Sequence, residues 1–231
     1  MDSLTLLAAE VADCRRCPRL VDWREQVAAE RRAAFRDEEY WGRGVSGFGD
    51  PAATILVLGL APAAHGANRT GRVFTGDRSG DWLFRSMHTA GLANQATSTH
   101  ADDGLALRGA WVTAAVKCAP PANKPLPHER DACRPFLQRE LALLNDLRVV
   151  VCLGAFAYQA ACNEFGVRPR PRFGHLVEVP AGRLTLLCSF HPSQQNTFTG
   201  RLTEPMLDAV FHRAAALSSR GSTPTPRARR R

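Results

Sequence analysis

An α/β fold with a largely parallel central sheet between helices is what the sequence predicts, on three observations. Four short apolar runs bounded by turn residues (54–59, 110–116, 148–153 and 184–189) read as buried strands. Helical stretches separate these runs, which argues for crossover connections and a sheet covered on both faces. Three of the four strand ends open into loops rich in Gly, Pro, His and Asn, the place where ligands bind in such sheets.

Along the chain, residues 4–12 form a short helix that Cys14-Arg15-Arg16-Cys17-Pro18 breaks. Residues 19–39 are highly charged and expected to be helical, and a Gly-rich stretch, 41–50, leads into the first strand. A long polar loop, 61–80, follows that strand, then a helix over 81–90. The second strand runs straight into Lys117-Cys118-Ala119-Pro120-Pro121-Ala122-Asn123, followed by a helix over 129–146. The third strand leads to a helix over 155–165, the fourth to a loop over 191–201 and a closing helix over 204–217. No internal repeat is visible. Residues 1–217 are expected to form one domain. Residues 218–231 hold five arginines, no acid and almost nothing apolar, so they are expected to be a disordered basic tail.

The formal charge of +8 favours an acidic partner such as a phosphate backbone, although the body without its tail is only mildly basic. No run approaches the roughly 18 apolar residues of a membrane span. Residues 1–10 lack the basic region and cleavage site of a secretory signal. A cytoplasmic location, no membrane partner and a monomer are the expectations. A reducing compartment disfavours structural disulfides, so clustered cysteines read first as metal ligands. Cys14 and Cys17 form a C-x2-C pair and Cys118 and Cys133 a second pair, and together they could close one four-thiolate site. That donor set suits either tetrahedral zinc or a [4Fe-4S] cluster. Cys152, Cys162 and Cys188 lie in apolar contexts and read as small buried hydrophobes.

The segment after the first strand, Gly59-Leu-Ala-Pro-Ala-Ala-His65-Gly-Ala-Asn68-Arg-Thr-Gly-Arg72-Val-Phe74-Thr-Gly-Asp77, gathers a His, an Asn, an aromatic and an acid at one strand end. Loops of this length without secondary structure are usually functional or disordered. The segment resembles the first motif of the type-B, or family 5, uracil-DNA glycosylases. His191-Pro-Ser-Gln-Gln-Asn-Thr-Phe-Thr-Gly-Arg-Leu-Thr203 resembles that family's second motif, and Cys14, Cys17, Cys118 and Cys133 are similar to its [4Fe-4S] ligands. The resemblance covers roughly residues 4–217. It implies a three-layer αβα sandwich around a mainly parallel four-stranded sheet, and a monofunctional glycosylase that removes uracil, hypoxanthine and other damaged bases from DNA with a [4Fe-4S] cluster as cofactor.

The resemblance also assigns roles, which the chemistry can weigh. A flipped base needs a stacking platform, and Phe74 matches the aromatic in that position. Negative charge develops on the departing base, and His191 matches the donor facing its carbonyl oxygen. The acid that stands after the first strand in other branches is replaced by Ala61. Asp77, the loop's only acid, is therefore either the general base or the cap of the next helix. With a structural Asp77, a water would be oriented by His65 or Asn68. The Asn that reads the base edge in related branches is replaced by Ala114, and Asn123 either supplies an amide instead or simply makes its turn. Gln195 and Phe198 are candidates to fill the vacated stack. Arg72, Lys117, Lys124 and Arg201, with the backbone N–H groups of Gly66, Gly71 and Ser193, are expected at phosphates.

Overall fold

The computed structural model describes residues 2–219. Helix α1 (Leu4–Asp13) starts where the Ser3 hydroxyl accepts the Leu6 N–H at 3.1 Å, and helix α2 (Pro18–Glu30) starts on Pro18, whose ring is pre-set for a first helical position. Cys14 and Cys17 thus sit at the junction of two helices. Helix α2 does not reach residue 39. At Arg31 the backbone turns left-handed (φ 54°), and the following segment crosses to the long loop, where the Trp41 N–H donates to the Arg69 carbonyl and the Gly42 N–H to that of Asn68. That long-range docking leaves no signal in a charged helical window.

The sheet strands are β1 (Phe48–Gly49), β2 (Ile55–Gly59), β3 (Ala110–Ala114), β4 (Val149–Leu153), β5 (Glu178–Ala181) and β6 (Leu184–Ser189), in the spatial order β1-β3-β2-β4-β6-β5. The inner four are mutually parallel and match the four predicted runs. The prediction of four strands is corrected to six, because an antiparallel strand closes each edge. β1 has two residues, too few for a periodic pattern. β5 carries Pro180, a residue that marks an edge rather than a central strand, and it reads as irregular chain until β6 pairs with it.

Alternation along the strands feeds two cores. Ile55, Val57, Val149, Val151 and Leu187 pack on one face with α4 (Arg78–Thr89) and α8 (Glu204–Ser219). Leu56, Leu58, Val150, Cys152 and Leu186 pack on the other with α5 (Pro127–Leu143) and α6 (Ala155–Glu164). The result is the αβα sandwich, in which Cys152, Cys162 and Cys188 are buried core residues as expected. Ser218 and Ser219 close α8, so the predicted tail begins inside a helix; residues 220–231 lie outside the described residues. No helix is long and apolar enough to cross a membrane among the described residues.

Strand β2 pairs with β3 on one side and β4 on the other, so the chain reverses direction of travel across the sheet at its carboxyl end. A crevice opens at such a point. The long loop leaves β2 there. It is not fully irregular: α3 (Ala67–Thr70) forms a single turn within it.

Candidate active site and cysteine pocket

Phe74 holds a left-handed backbone (φ 53°), uncommon for an aromatic and tolerated only where surrounding contacts impose it. Two glycines make room for it. A Cβ on Gly59, the last residue of β2, would lie 2.7 Å from the Phe74 ring, and one on Gly80 would collide with the Phe74 carbonyl. The ring therefore lies across the end of β2. There it meets His191, which follows β6 in sequence: the two ring centroids are 5.9 Å apart with planes tilted by 35°. The structure thus brings together the platform and the donor candidates from loops more than a hundred residues apart.

Burial lowers the His191 imidazole to about 4, so at neutral pH the ring is uncharged and presents one N–H. The Asn196 side chain donates to the His191 carbonyl at 2.9 Å, and Ser193 caps the short helix α7 (Gln194–Phe198) by accepting the Asn196 N–H. Gln195 and Phe198 project from this turn into solvent, Phe198 being 69% exposed with the Arg78 guanidinium 5.1 Å from its ring centre. Arg201 is also exposed and stacks on Phe190 at 4.7 Å.

Asp77 is the cap of the next helix. Oδ1 accepts the Gly80 N–H at 3.0 Å and caps α4, while Oδ2 faces the α carbon of Gly66, where any Cβ would strike it. Burial raises the carboxyl above its usual range, against the lowering effect of the Gly80 and Ser79 backbone N–H groups. One oxygen is thus engaged in the cap and the other lies against the backbone of Gly66.

His65 is half-buried. Its Nδ1 is 3.1 Å from the Tyr40 hydroxyl, and its other ring nitrogen makes no hydrogen bond among the described residues. Ala61 packs beside Cys17 and Cys118, and Ala114 is buried at the end of β3. Asn123 is exposed on a 3-10 turn in which it and Ala122 both have positive φ (55° and 52°). Two consecutive non-glycine residues there mark a strained turn. Asn tolerates that backbone well; Ala does not.

Several expected contacts are corrected. Arg72 does not face a phosphate: it is buried, pairs with both carboxylate oxygens of Asp103 at 2.8 Å, and donates to Thr75 Oγ1, Ser98 Oγ and the Ala101 carbonyl. Every face of the guanidinium is used to pin the loop. Lys117 is buried too, its Nζ 2.6 Å from Glu140 Oε2 and 2.5 Å from Thr113 Oγ1. Glu140 also accepts from the Gly47 N–H and Trp111 Nε1, so one carboxylate of α5 ties together β3 and the segment before β1. Asn68 is fully buried and donates to the Arg24 carbonyl at 3.1 Å, anchoring α3 to α2 rather than facing a ligand. The N–H groups of Gly66 and Gly71 are taken by the Ala63 and Ala67 carbonyls. Lys124 remains exposed.

Cys14, Cys17, Cys118 and Cys133 line one pocket with Leu20, Val21, Val116 and Phe136, around about 330 Å³ of atom-free space that is partly open to solvent. None of the four is joined in a disulfide. Among the described residues no three or more His, Cys, Asp or Glu side chains form a group that could hold a metal ion. The donor chemistry and its setting suit a thiolate-bound group: the walls are apolar, the Lys117 N–H points at Cys133 Sγ from 3.2 Å, and Arg24 Nη1 points at Cys118 Sγ from 2.9 Å. Burial raises the thiols of Cys17 and Cys118 and pushes Cys133 up to about 12, a preference that a bound cation reverses. Sequence reasoning missed Arg24, Tyr40 and Glu140. Nothing local marks them, since each is defined by a partner far along the chain. Gly59 carried a signal, a glycine ending an apolar strand.

A model of the uracil DNA glycosylase superfamily matches residues 46–215. The chain is 53% identical over 221 residues to a type-5 uracil-DNA glycosylase of Mycobacterium tuberculosis, covering 94% of this chain and 82% of that one. It is 52% identical over 208 residues to a type-5 uracil-DNA glycosylase of Thermus thermophilus (89% and 94% covered), and 44% identical over 206 residues to one of Pyrobaculum aerophilum (89% of each).

Proposed function

The chain belongs to the uracil-DNA glycosylase superfamily, in its type-5 branch, and from that premise we propose that it hydrolyses the N-glycosidic bond of uracil in DNA with the residues gathered at the end of β2. The observation that carries this reading is the meeting of Phe74 and His191 across the mouth of the crevice. A base turned out of the duplex costs a few kcal/mol in lost stacking, and the Phe74 face offsets part of that cost. As the bond breaks, charge gathers on the base carbonyl oxygen. A neutral His191 donates its one N–H to that oxygen, and its depressed basicity keeps the ring from taking up a second proton, so the donor meets the developing charge uncharged.

Asp77 supplies the other half of the reaction. Its Oδ2 accepts a proton from water, or sets negative charge beside the cationic sugar, while Oδ1 holds the carboxylate in place through the α4 cap. His65, fixed by Tyr40, lines the same loop, and Asn123 offers an amide to the base edge from its strained turn. With Ala114 in place of an edge-reading amide, the pocket has less to reject a purine, which supports activity on hypoxanthine and other deaminated bases. Ser193, Gln195, Phe198 and Arg201 present the surface that meets the flanking DNA. Phe198 is the group most suited to enter the vacated stack.

Cys14, Cys17, Cys118 and Cys133 would hold a [4Fe-4S] cluster, which when bound would cross-link the α1–α2 junction to the loop after β3 and to α5 itself. The four-sided pocket supports this. A single domain over residues 1–217, working as a monomer in the cytoplasm, completes the proposal. The test is base release from matched duplexes carrying uracil, hypoxanthine or no lesion, with the intact protein and with His191→Ala. Free uracil that depends on His191 is expected, with hypoxanthine released more slowly. Release of no base from any duplex by folded, metal-loaded protein would overturn the reading.

A further inference from the structure

Arg24 is the largest fully buried side chain among the described residues, 1% exposed in the middle of α2. A guanidinium cannot discharge its cost by losing a proton, so it needs an anion or a full set of acceptors. No carboxylate pairs with it among the described residues; its neighbour Glu25 pairs with Arg15 at the surface. Its partners are Cys118 Sγ at 2.9 Å from Nη1 and the Cys14 carbonyl at 3.0 Å from Nη2, while Nε has none. A neutral thiol is a weak acceptor and a poor answer to a buried charge. Four thiolates around a metal group bring more negative charge than the metal core offsets, and that anion would be the missing partner.

We infer that Arg24 is the resident counter-cation of the four-cysteine site, donating through Nη1 to the Cys118 sulfur and through Nη2 to the main chain of Cys14. The inference rests on the metal-cluster reading above. Its geometry is held from the other side by Asn68, whose amide fixes the Arg24 carbonyl. Lysine could supply the charge but not the fork that spans the sulfur and the carbonyl together. Outer-shell partners of this kind tune both metal retention and the electronic state of the group they face.

The experiment compares wild type, Arg24→Met and Arg24→Lys, purified without oxygen, by iron and sulfide content, rate of visible bleaching under chelator, midpoint potential and circular dichroism. Arg24→Met is expected to bleach about tenfold or more faster and to shift the midpoint potential downward, because loss of a nearby cation disfavours adding an electron. Arg24→Lys should hold the potential nearer wild type and bleach at an intermediate rate. Arg24→Met that keeps wild-type iron content, bleaching rate and potential overturns the inference. If Arg24→Met does not fold, Arg24→Lys decides: faster bleaching supports the inference and a wild-type rate overturns it. Wild-type protein that carries no metal removes the cluster reading, and the inference falls with it; that outcome is visible before any variant is compared.

Discussion

Replacing Asp77 separates two roles that one carboxylate fills. Oδ1 caps α4 through the Gly80 N–H at 3.0 Å, and an asparagine can make that same bond, whereas alanine cannot. Loss of such a cap costs about 1 kcal/mol, within a range of about 0.5–2, which in a chain of this size lowers the melting temperature by roughly 2–4 °C per kcal/mol. Asp77→Ala should therefore melt lower, and Asp77→Asn should not. Burial has raised the Asp77 carboxyl, so the stability it contributes is present below its unfolded value of 3.8 and lost as pH rises through the folded value. At neutral pH the ionised, desolvated group is a cost, and Asp77→Asn should melt at or above wild type. Catalysis should move the other way: removing a general base slows single-turnover uracil release by about 10²–10⁴-fold in both variants. The assay is single-turnover base release beside a thermal melt, at one neutral pH. Asp77→Asn with wild-type release would show that the carboxylate only caps the helix, and refute the assignment of Oδ2 to chemistry.

Gly59→Ala places a Cβ 2.7 Å from the Phe74 ring, so uracil release should fall while the sheet survives; unchanged release by a folded variant would show that Phe74 is not the platform. Glu140→Ala leaves Lys117 buried without its partner, and breaking a buried pair costs roughly 3–5 kcal/mol, readable as a lower denaturation midpoint; a loss within about 1 kcal/mol would mean water already compensates that charge. The His191 imidazole is lowered from 6.5 to about 4, so the stability tied to its neutral form is complete above 6.5 and is lost as pH falls toward 4. Wild type should lose roughly 3 kcal/mol more than His191→Gln across that window; parallel pH curves for the two proteins would contradict the partly buried, neutral ring.

The amino-acid sequence by itself determined the inner sheet and the chemistry-bearing segments. Runs such as 54–59 and 148–153 are apolar on both faces, and only a strand buried on both sides stabilises such a run. The strand ends followed, and with them the loops that carry Phe74, Asp77 and His191. Spacing and compartment joined Cys14, Cys17, Cys118 and Cys133 as a possible four-thiolate site, resemblance pointed to a [4Fe-4S] cluster rather than zinc, and the fold placed all four around one pocket. Tertiary structure alone decided how charges are used. Arg72, Lys117 and Arg24 look in sequence like any surface cation; burial turned each into an internal tie, because a charge taken out of water must find a partner wherever the chain can bring one. The edge strand β1 and the end of α2 were likewise beyond local reading, since their hydrogen-bond partners lie dozens of residues away, while β5 was hidden by its Pro180 although its partner β6 follows directly. The basicity of His191 belongs to the same class: the residue is legible at position 191, but the burial that lowers it to about 4 comes from the packing of distant segments around the crevice.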